Sequence, residues 1–439
     1  MSNLKWLIVS VCLILCSQQL GAQGASARLM GINELFRLAD ENSKSIQVFN
    51  TGKEAAEEAW KAAKTNRLPD IKVSASGSYI GNGYLWNRHY KDGMNVTMPH
   101  WGNNFAIEAQ QVIYSGGALS GNIALTELGK RMAELDGQKN RQEIRFMLLG
   151  YYLDLYKLSN QKTVLLKNLE LTDKVIRNME TRRSQGTALR NDITRYELQK
   201  EMLRLQLSQV EDASTILNHQ LVTTLHLPQK TIIQPDSLLP HAEVKTLTEK
   251  DWQQMALQSN LNLQQAELTV KMNEQKVKLE KSELLPKIIL VAEDHLDGPI
   301  LVEVPTINKN FNYWFVGIGV QYNLSSLFKN NRKVSQAKLN GRQGIEQKEL
   351  IAEHTENAVQ AGYVNYLTSF VDLRTQEKSV ELANQNYDVT SNRYKNDLAL
   401  LTDMLDASNM KLSADLNLLN ARINVIYNYY KMKYISHTL

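Results

Sequence analysis

Cysteine, proline and long apolar runs are all scarce in this chain, and each scarcity removes a class of structure. The only two cysteines, Cys12 and Cys16, lie at the start, around an apolar run from Trp6 to Leu15 that follows Lys5 and precedes Ser17-Gln18-Gln19-Leu20-Gly21-Ala22. A basic start, a short apolar segment and small residues spell a secretory signal, expected to be cut after Ala22. The run is shorter than the ~20 residues of a spanning helix, which argues against a membrane anchor. Leu15 stands before Cys16 where lipoprotein processing expects a small residue, so lipidation is not expected. With the signal gone, neither disulfide nor thiol chemistry remains. No later run reaches transmembrane-helix length, so any membrane segment of the exported chain must be built from β-strands.

The eight prolines fall in three places, Pro69 to Pro99, Pro228 to Pro240 and Pro286 to Pro305. An interior proline costs a helix about 3 kcal/mol, so the proline-free stretches from Trp101 to Leu227 and after Pro305 admit very long helices. Ile144, Leu148, Tyr152, Leu155, Leu158, Leu165, Leu169, Ile176 and Met179 form one helical stripe in the first stretch. Val359, Tyr366, Leu373, Val380, Tyr387 and Tyr394 keep a seven-residue beat in the second, which implies left-handed supercoiling against neighbouring helices. A helix from Ala118 to about Gln185 would be ~100 Å long at 1.5 Å per residue.

Charge of one sign is also lacking. The formal net charge is +4, Lys5 leaves with the signal, and acidic and basic residues are interspersed along the helical stretches. That pattern describes solvated helix faces rather than a nucleic-acid groove.

Strands are expected beside the prolines. Ile71, Val73, Ala75, Gly77 and Tyr79 alternate with Lys72, Ser74, Ser76 and Ser78. Phe105, Ile107 and Ala109 are set against Asn104, Glu108 and Gln110. A ragged third candidate covers Ile288 to Leu296, and a fourth sets Trp314, Val316, Ile318, Val320 and Tyr322 against Gly317, Gly319 and Gln321. Each has roughly the 9–11 residues of a tilted membrane strand. A soluble antiparallel sheet would alternate in the same way. Single-chain membrane barrels start at about eight strands, so four could enter lipid only if several chains shared one barrel. Gly81 to Gly102 and Asp297 to Asn310 then read as loops outside the membrane, with Tyr79, Trp101, Phe105, Tyr313 and Trp314 as interfacial aromatic belts.

The chain repeats itself. Arg67-Leu68-Pro69-Asp70-Ile71 returns as Leu284-Leu285-Pro286-Lys287-Ile288, Leu35 and Ala39 are answered by Trp252 and Ala256, Arg182 by Arg393, and Asp192 by Asp403. Each half reads helix, strand, loop, strand, long helix, tight turn, helix, a duplication rather than a short-unit solenoid. The expected organisation is a signal over 1–22 and a first repeat over 23–227, with strands about 70–80 and 103–114 and a long helix about 118–185. A linker over 228–249 leads to a second repeat over 250–439, with strands about 287–296 and 311–324 and a long helix about 331–396. The shorter helices, Asn33 to Thr65 and Leu189 to Leu225 in the first half, match the long one when stacked end to end. Four columns of similar height per chain follow, which several chains could close into a tube with Pro228 to Val244 as a belt outside it.

In this order and spacing, the chain from about Leu29 to Tyr434 resembles the TolC-like outer-membrane efflux family. The resemblance rests on the paired Leu-Pro helix ends, on Val112-Ile113-Tyr114-Ser115-Gly116-Gly117, and on Arg393-Tyr394 through Thr402-Asp403-Met404-Leu405-Asp406-Ala407. It implies a mainly α fold with membrane β-strands: a homotrimer with a 12-stranded barrel in outer-membrane lipid on a long α-helical periplasmic tunnel. Such a trimer is the exit duct of a tripartite efflux or type I secretion system, working with a periplasmic adaptor and an inner-membrane transporter. The resemblance makes Asp403 and Asp406 an acidic ring at the tunnel entrance and Tyr394 an entrance-packing residue. It makes Gly186, Thr187, Ala188, Leu189, Asn396 and Asp397 the helix-turn tips that meet the adaptor. Ala399 stands where the family member compared has an arginine two residues after its turn glycine, which speaks against a latch made by that arginine.

The residue types alone allow a plainer role, in which Asp403 is a helix N-terminal carboxylate. His219 and His226, seven apart on an expected helix, can share a face, but no third ligand is evident nearby and they read as helix-surface histidines. Ser115-Gly116-Gly117 lacks the lysine of a phosphate loop and reads as a hinge. Nothing pairs a nucleophile with a base, so no enzyme, cofactor or metal is expected, and no nucleic acid. A soluble secreted coiled-coil protein or a periplasmic adaptor is the alternative.

Overall fold

The computed structural model describes residues 26–236, 247–303, 306–396 and 398–439; the expected signal, the middle of the linker and Asp397 lie outside them. In chain order the elements are β1 (Ser26–Met30), α1 (Ile32–Asn42), α2 (Lys44–Thr65), β2 (Asp70–Tyr79), β3 (Gly83–Leu85), β4 (Met94–Val96), β5 (Trp101–Tyr114), α3 (Ala118–Ser184) and α4 (Arg190–Thr224). The second half follows with β6 (Thr231–Pro235), α5 (Glu249–Ser259), α6 (Leu261–Ser282), β7 (Lys287–Gly298), β8 (Phe311–Gln321), α7 (Ser326–Lys395) and α8 (Leu401–Ile435). The fold is mostly helical, and α3 and α7 run unbroken for 67 and 70 residues. Two compact units share these elements, one made of residues up to Asn50, Gly137–Leu261 and Ala352–Leu439, the other of Thr51–Asp136 and Asn262–Ile351.

The first unit is held by helix faces of period 3.6. Leu148, Tyr152 and Leu155 of α3 meet Leu35, Leu38 and Ala39 of α1, Leu221 and Val222 of α4, and Ile423 and Ile426 of α8 in one buried cluster. Met30 of β1 and Ile233 of β6 close it, and these two strands pair in parallel. The Tyr152 hydroxyl donates to Met30 O at 2.6 Å and accepts from Asp236 N at 3.1 Å. Burial pushes its pKa up to about 12, so it stays a neutral donor. The expected linker thus begins as a strand, with Thr231 and Ile233 buried. The second repeat builds its own cluster at the answering positions, from Trp252, Ala256, Val359, Tyr366 and Met432.

Two expectations are corrected here. The stretch from Asn33 to Thr65 is two helices, because Ser43 takes extended dihedrals (φ −61°, ψ 124°) while its N–H still bonds Ala39 O. Asn260 breaks the second repeat in the same way, with its N–H on Ala256 O. No proline marks either break. His226 lies beyond the end of α4 with φ +51°, so it shares no helix face with His219.

The second unit carries a four-stranded antiparallel sheet in the order β2-β5-β7-β8, with strands of 10, 14, 12 and 11 residues. Proline ends the preceding helix in both repeats, since Pro69 and Pro286 cannot continue the hydrogen-bond ladder. The expected loop over Gly81 to Gly102 contains the small β3–β4 hairpin, and Trp101 belongs to β5. Entry from β5 into α3 needs glycine at Gly116, whose φ is +63° and whose added Cβ would lie 2.7 Å from Ser282 O.

Candidate functional site

The two helix reversals of the first unit share one closing bond, from the amide five residues on to the carbonyl of Arg182 or Arg393. After α3, Gly186 takes φ +78°, its N–H bonds Arg183 O at 2.9 Å, and Thr187 N bonds Arg182 O at 2.9 Å. This is the usual left-handed close of a helix, and glycine adopts it without a Cβ penalty. After α7, Leu398 N bonds Arg393 O at 2.8 Å, and the Arg393 guanidinium returns to Leu398 O at 3.2 Å. Asn396 is not among the positive-φ residues; its side chain instead caps Asn392 O at 2.8 Å.

Each following helix opens on a leucine and an aspartate. Asp192 Oδ2 accepts from Leu189 N at 3.2 Å, and Asp403 Oδ2 accepts from Leu400 N at 3.0 Å. Leucine has no side-chain acceptor, so only half of a capping box forms, and the carboxylate also meets the positive end of the helix dipole. Asp403 thus caps α8 while remaining exposed, and Asp406, one turn on, is exposed as well. Around them Leu189, Leu398 and Leu400 are about 70 % exposed at the very tip. Thr187 is exposed beside them, and Ala188 and Ala399 are half-buried.

Tyr394 lies beneath the tips. It packs against the cluster of Ile176, Met179, Ile193 and Tyr196 and against that of Tyr387, Met404 and Ala407. The Arg182 guanidinium sits 5.4 Å from its ring centroid, a cation–π distance between the two reversals. The Tyr196 hydroxyl is buried there without a hydrogen-bond partner among the described residues, and burial pushes its pKa up. A groove of about 260 Å³ opens beside this cluster, lined by Lys174, Asn178, Tyr387, Ser391 and Tyr394 among others. The roles of Arg182 and Tyr196 escape a sequence reading: Arg182 meets Tyr394 of α7, about two hundred residues away, and Tyr196 is buried among Ile176 and Met179 of α3 with Tyr394 packed against them. Asp415, farther along α8, is also new. Burial raises its pKa, against the lowering pull of Lys411 and Lys167.

The sheet of the second unit sorts its residues by register. Strand neighbours in register share a face, so Tyr79, Trp101, Phe105 and Trp314 fall on one face with Val73, Ile107, Val316, Ile318 and Val320. Tyr313 falls on the other, beside Ser74, Ala106 and His295. Tyr313 and Trp314 are consecutive in a strand, so they cannot share one belt. Tyr79 and Trp101 meet edge-on at 5.7 Å.

Residues 252–429 match the family model for outer membrane efflux proteins. The chain's fold is that of the outer-membrane efflux channels. It superposes on the outer membrane protein VceC of Vibrio cholerae with a TM-score of 0.76 at 15% identity, over 92% of this chain and 96% of that one. The Campylobacter jejuni CmeC outer membrane channel matches with a TM-score of 0.75 at 15% identity, over 93% and 85%. The open state of the Neisseria gonorrhoeae MtrE outer membrane channel matches at 0.74 and 13%, over 92% and 88%. No curated protein matches the chain significantly.

Proposed function

We propose that this chain is the outer-membrane channel of a tripartite efflux or type I secretion system. Three copies each contribute four strands to one barrel and their helices to a periplasmic tunnel. A single observation carries the reading: a sheet with a largely apolar face, Asp294 apart, and two edges, β2 and β8, unpaired among the described residues, in a chain with the fold of outer-membrane channels. Lipid does not tolerate open strand edges, and one chain cannot close four strands, so β8 of one copy pairs with β2 of the next. The apolar face then meets lipid and the polar face lines water. Segment 1–22 directs export and is removed. The exposed apolar face disfavours a soluble coiled-coil or adaptor role.

The reversal tips form the tunnel entrance in this reading. Gly186, Thr187, Ala188, Leu189, Asn396 and Asp397 present the surface for a periplasmic adaptor that couples the duct to an inner-membrane transporter. Asp403 and Asp406, three copies each, focus a negative potential into the neck. Tyr394, clamped under Arg182, sets how closely the two reversals approach. The domain boundaries given by the sequence repeat apply, with the linker as the seam.

Single-channel recording in planar bilayers tests this. Wild type is expected to show small cation-selective openings that trivalent cations block, and Asp403→Ala with Asp406→Ala to lift the block. Block that persists in the double variant removes the acidic ring and keeps the channel. A folded oligomer with no conductance removes both.

A further inference from the structure

The polar face of the sheet carries an aromatic ladder. On β8, Phe311, Tyr313 and Phe315 alternate with Asn312, Trp314 and Val316, so the three rings share the face opposite the lipid-facing Trp314. Their register partners on β7 are Asp297, His295 and Glu293, and the next partners, on β5, are Asn104, Ala106 and Glu108. Phe311 and Tyr313 stack with centroids 5.3 Å apart, and the His295 ring lies on Tyr313 at 5.1 Å and 11°. The Tyr313 hydroxyl donates to Asp297 Oδ2 at 3.4 Å, the Asn104 amide donates to the other carboxylate oxygen, Oδ1, and His295 Nε2 is 2.9 Å from Glu293 Oε2. Phe311, Tyr313 and Phe315 nonetheless stay 53%, 37% and 45% exposed as residues.

This combination is unusual for a water-lined wall. Exposed rings there gain nothing from lipid, and Glu108 faces Glu293 in register, a like-charge pair that is unfavourable across strands. Lys72, in the same row, reaches Asp70 at 3.5 Å instead. Among the described residues no group of acidic, histidine or cysteine side chains is arranged to hold a metal ion. A ligand with a flat apolar body and a positive charge answers both features, the rings through stacking and cation–π attraction and the carboxylates through charge. In the trimer, β2 of the next copy brings Ser74, Ser76 and Ser78 on its polar face beside the ladder, small side chains that leave the rings open.

We infer that Phe311, Tyr313 and Phe315, with Glu293, Asp297 and Glu108, form a transit site for flat aromatic organic cations on the barrel wall. The inference rests on the channel reading above and gives its cargo a chemical class. The test titrates the purified full-length trimer in detergent with ethidium, followed by fluorescence, alongside potassium conductance in bilayers. Saturable binding is expected. Glu293→Gln with Asp297→Asn, close to isosteric, should weaken it about tenfold and flatten its salt dependence, and Phe311→Ser with Phe315→Ser should weaken it at least as much. An uncharged phenanthridine should respond to the ring pair alone. If the ring pair fails to assemble, the carboxylate pair decides. A wild type that conducts potassium but binds ethidium only as empty micelles do, or binding that neither pair changes, overturns the site and leaves the channel. A wild type that neither conducts nor binds overturns both.

Discussion

The helical unit and the strand unit treat the same residue types in opposite ways. In the first, Leu35, Leu148, Tyr152 and Leu221 are fully buried by partners from their own chain. In the second, Val73, Ile107, Val316 and Ile318 are more than half exposed although they stand in regular strands. At about 25 cal/mol per Å² of apolar surface, leaving such a face in water is expensive. The chain therefore completes one unit by itself, and in the channel reading proposed above the other is completed by lipid and by further copies.

The sharpest test of that contrast is a large-to-small change on each side. Trp252→Ala empties the centre of the second repeat's cluster and should cost about 3–5 kcal/mol in denaturant unfolding of the purified protein. Ile107→Ala in the sheet should cost far less in the same assay, and equal losses would break the comparison. A charge on the lipid-facing side comes next. Val316→Lys should cost about 2–4 kcal/mol of insertion, read as loss of heat-modifiable oligomer from outer-membrane fractions. Ser76→Lys on the polar face should insert normally, and the reverse ranking would mean the faces are assigned backwards. The smallest effect is expected from Tyr152→Phe, which strips Met30 O and Asp236 N of a buried partner for about 1–3 kcal/mol. Thermal melting should register it, with no change in channel conductance.

A charged cluster in the helical unit marks its acid limit. Burial would raise the pKa of Asp40, but hydrogen bonds from Arg141 and Arg145 and their charges outweigh it and hold the group below its ordinary value. A depressed carboxylate stabilises the fold above its unfolded pKa and loses that contribution as pH falls through the folded one. The Asp40 contribution is thus intact at neutral pH and disappears only in acid.

Much of this was legible because it depends on local rules. Absent prolines leave room for α3 and α7, and Pro69 and Pro286 end helices before strands. Period-two alternation picks out the apolar face, and the same alternation along β8 corrects the placing of Tyr313 in a belt with Trp314. The breaks at Ser43 and Asn260 were not legible, because serine and asparagine occur in helices too and here the choice is made by packing. The parallel pairing of β1 with β6 joins segments about two hundred residues apart, and no local pattern in either five-residue strand specifies that partner. At the tips, Gly186 announced its turn, whereas the Arg182–Tyr394 contact required both reversals to be brought together.

The sequence alone determined the elements and their order: two long helices, four amphipathic strands and a duplicated plan follow from proline placement, periodicity and repetition, all properties of neighbouring residues. Only the tertiary structure decided which side chains cap, clamp or stack, as with Asp403 on Leu400, Tyr152 between Met30 and Asp236, and the rings of β8 against β7. Those contacts depend on register and on helix rotation, which long-range packing fixes and local periodicity leaves open.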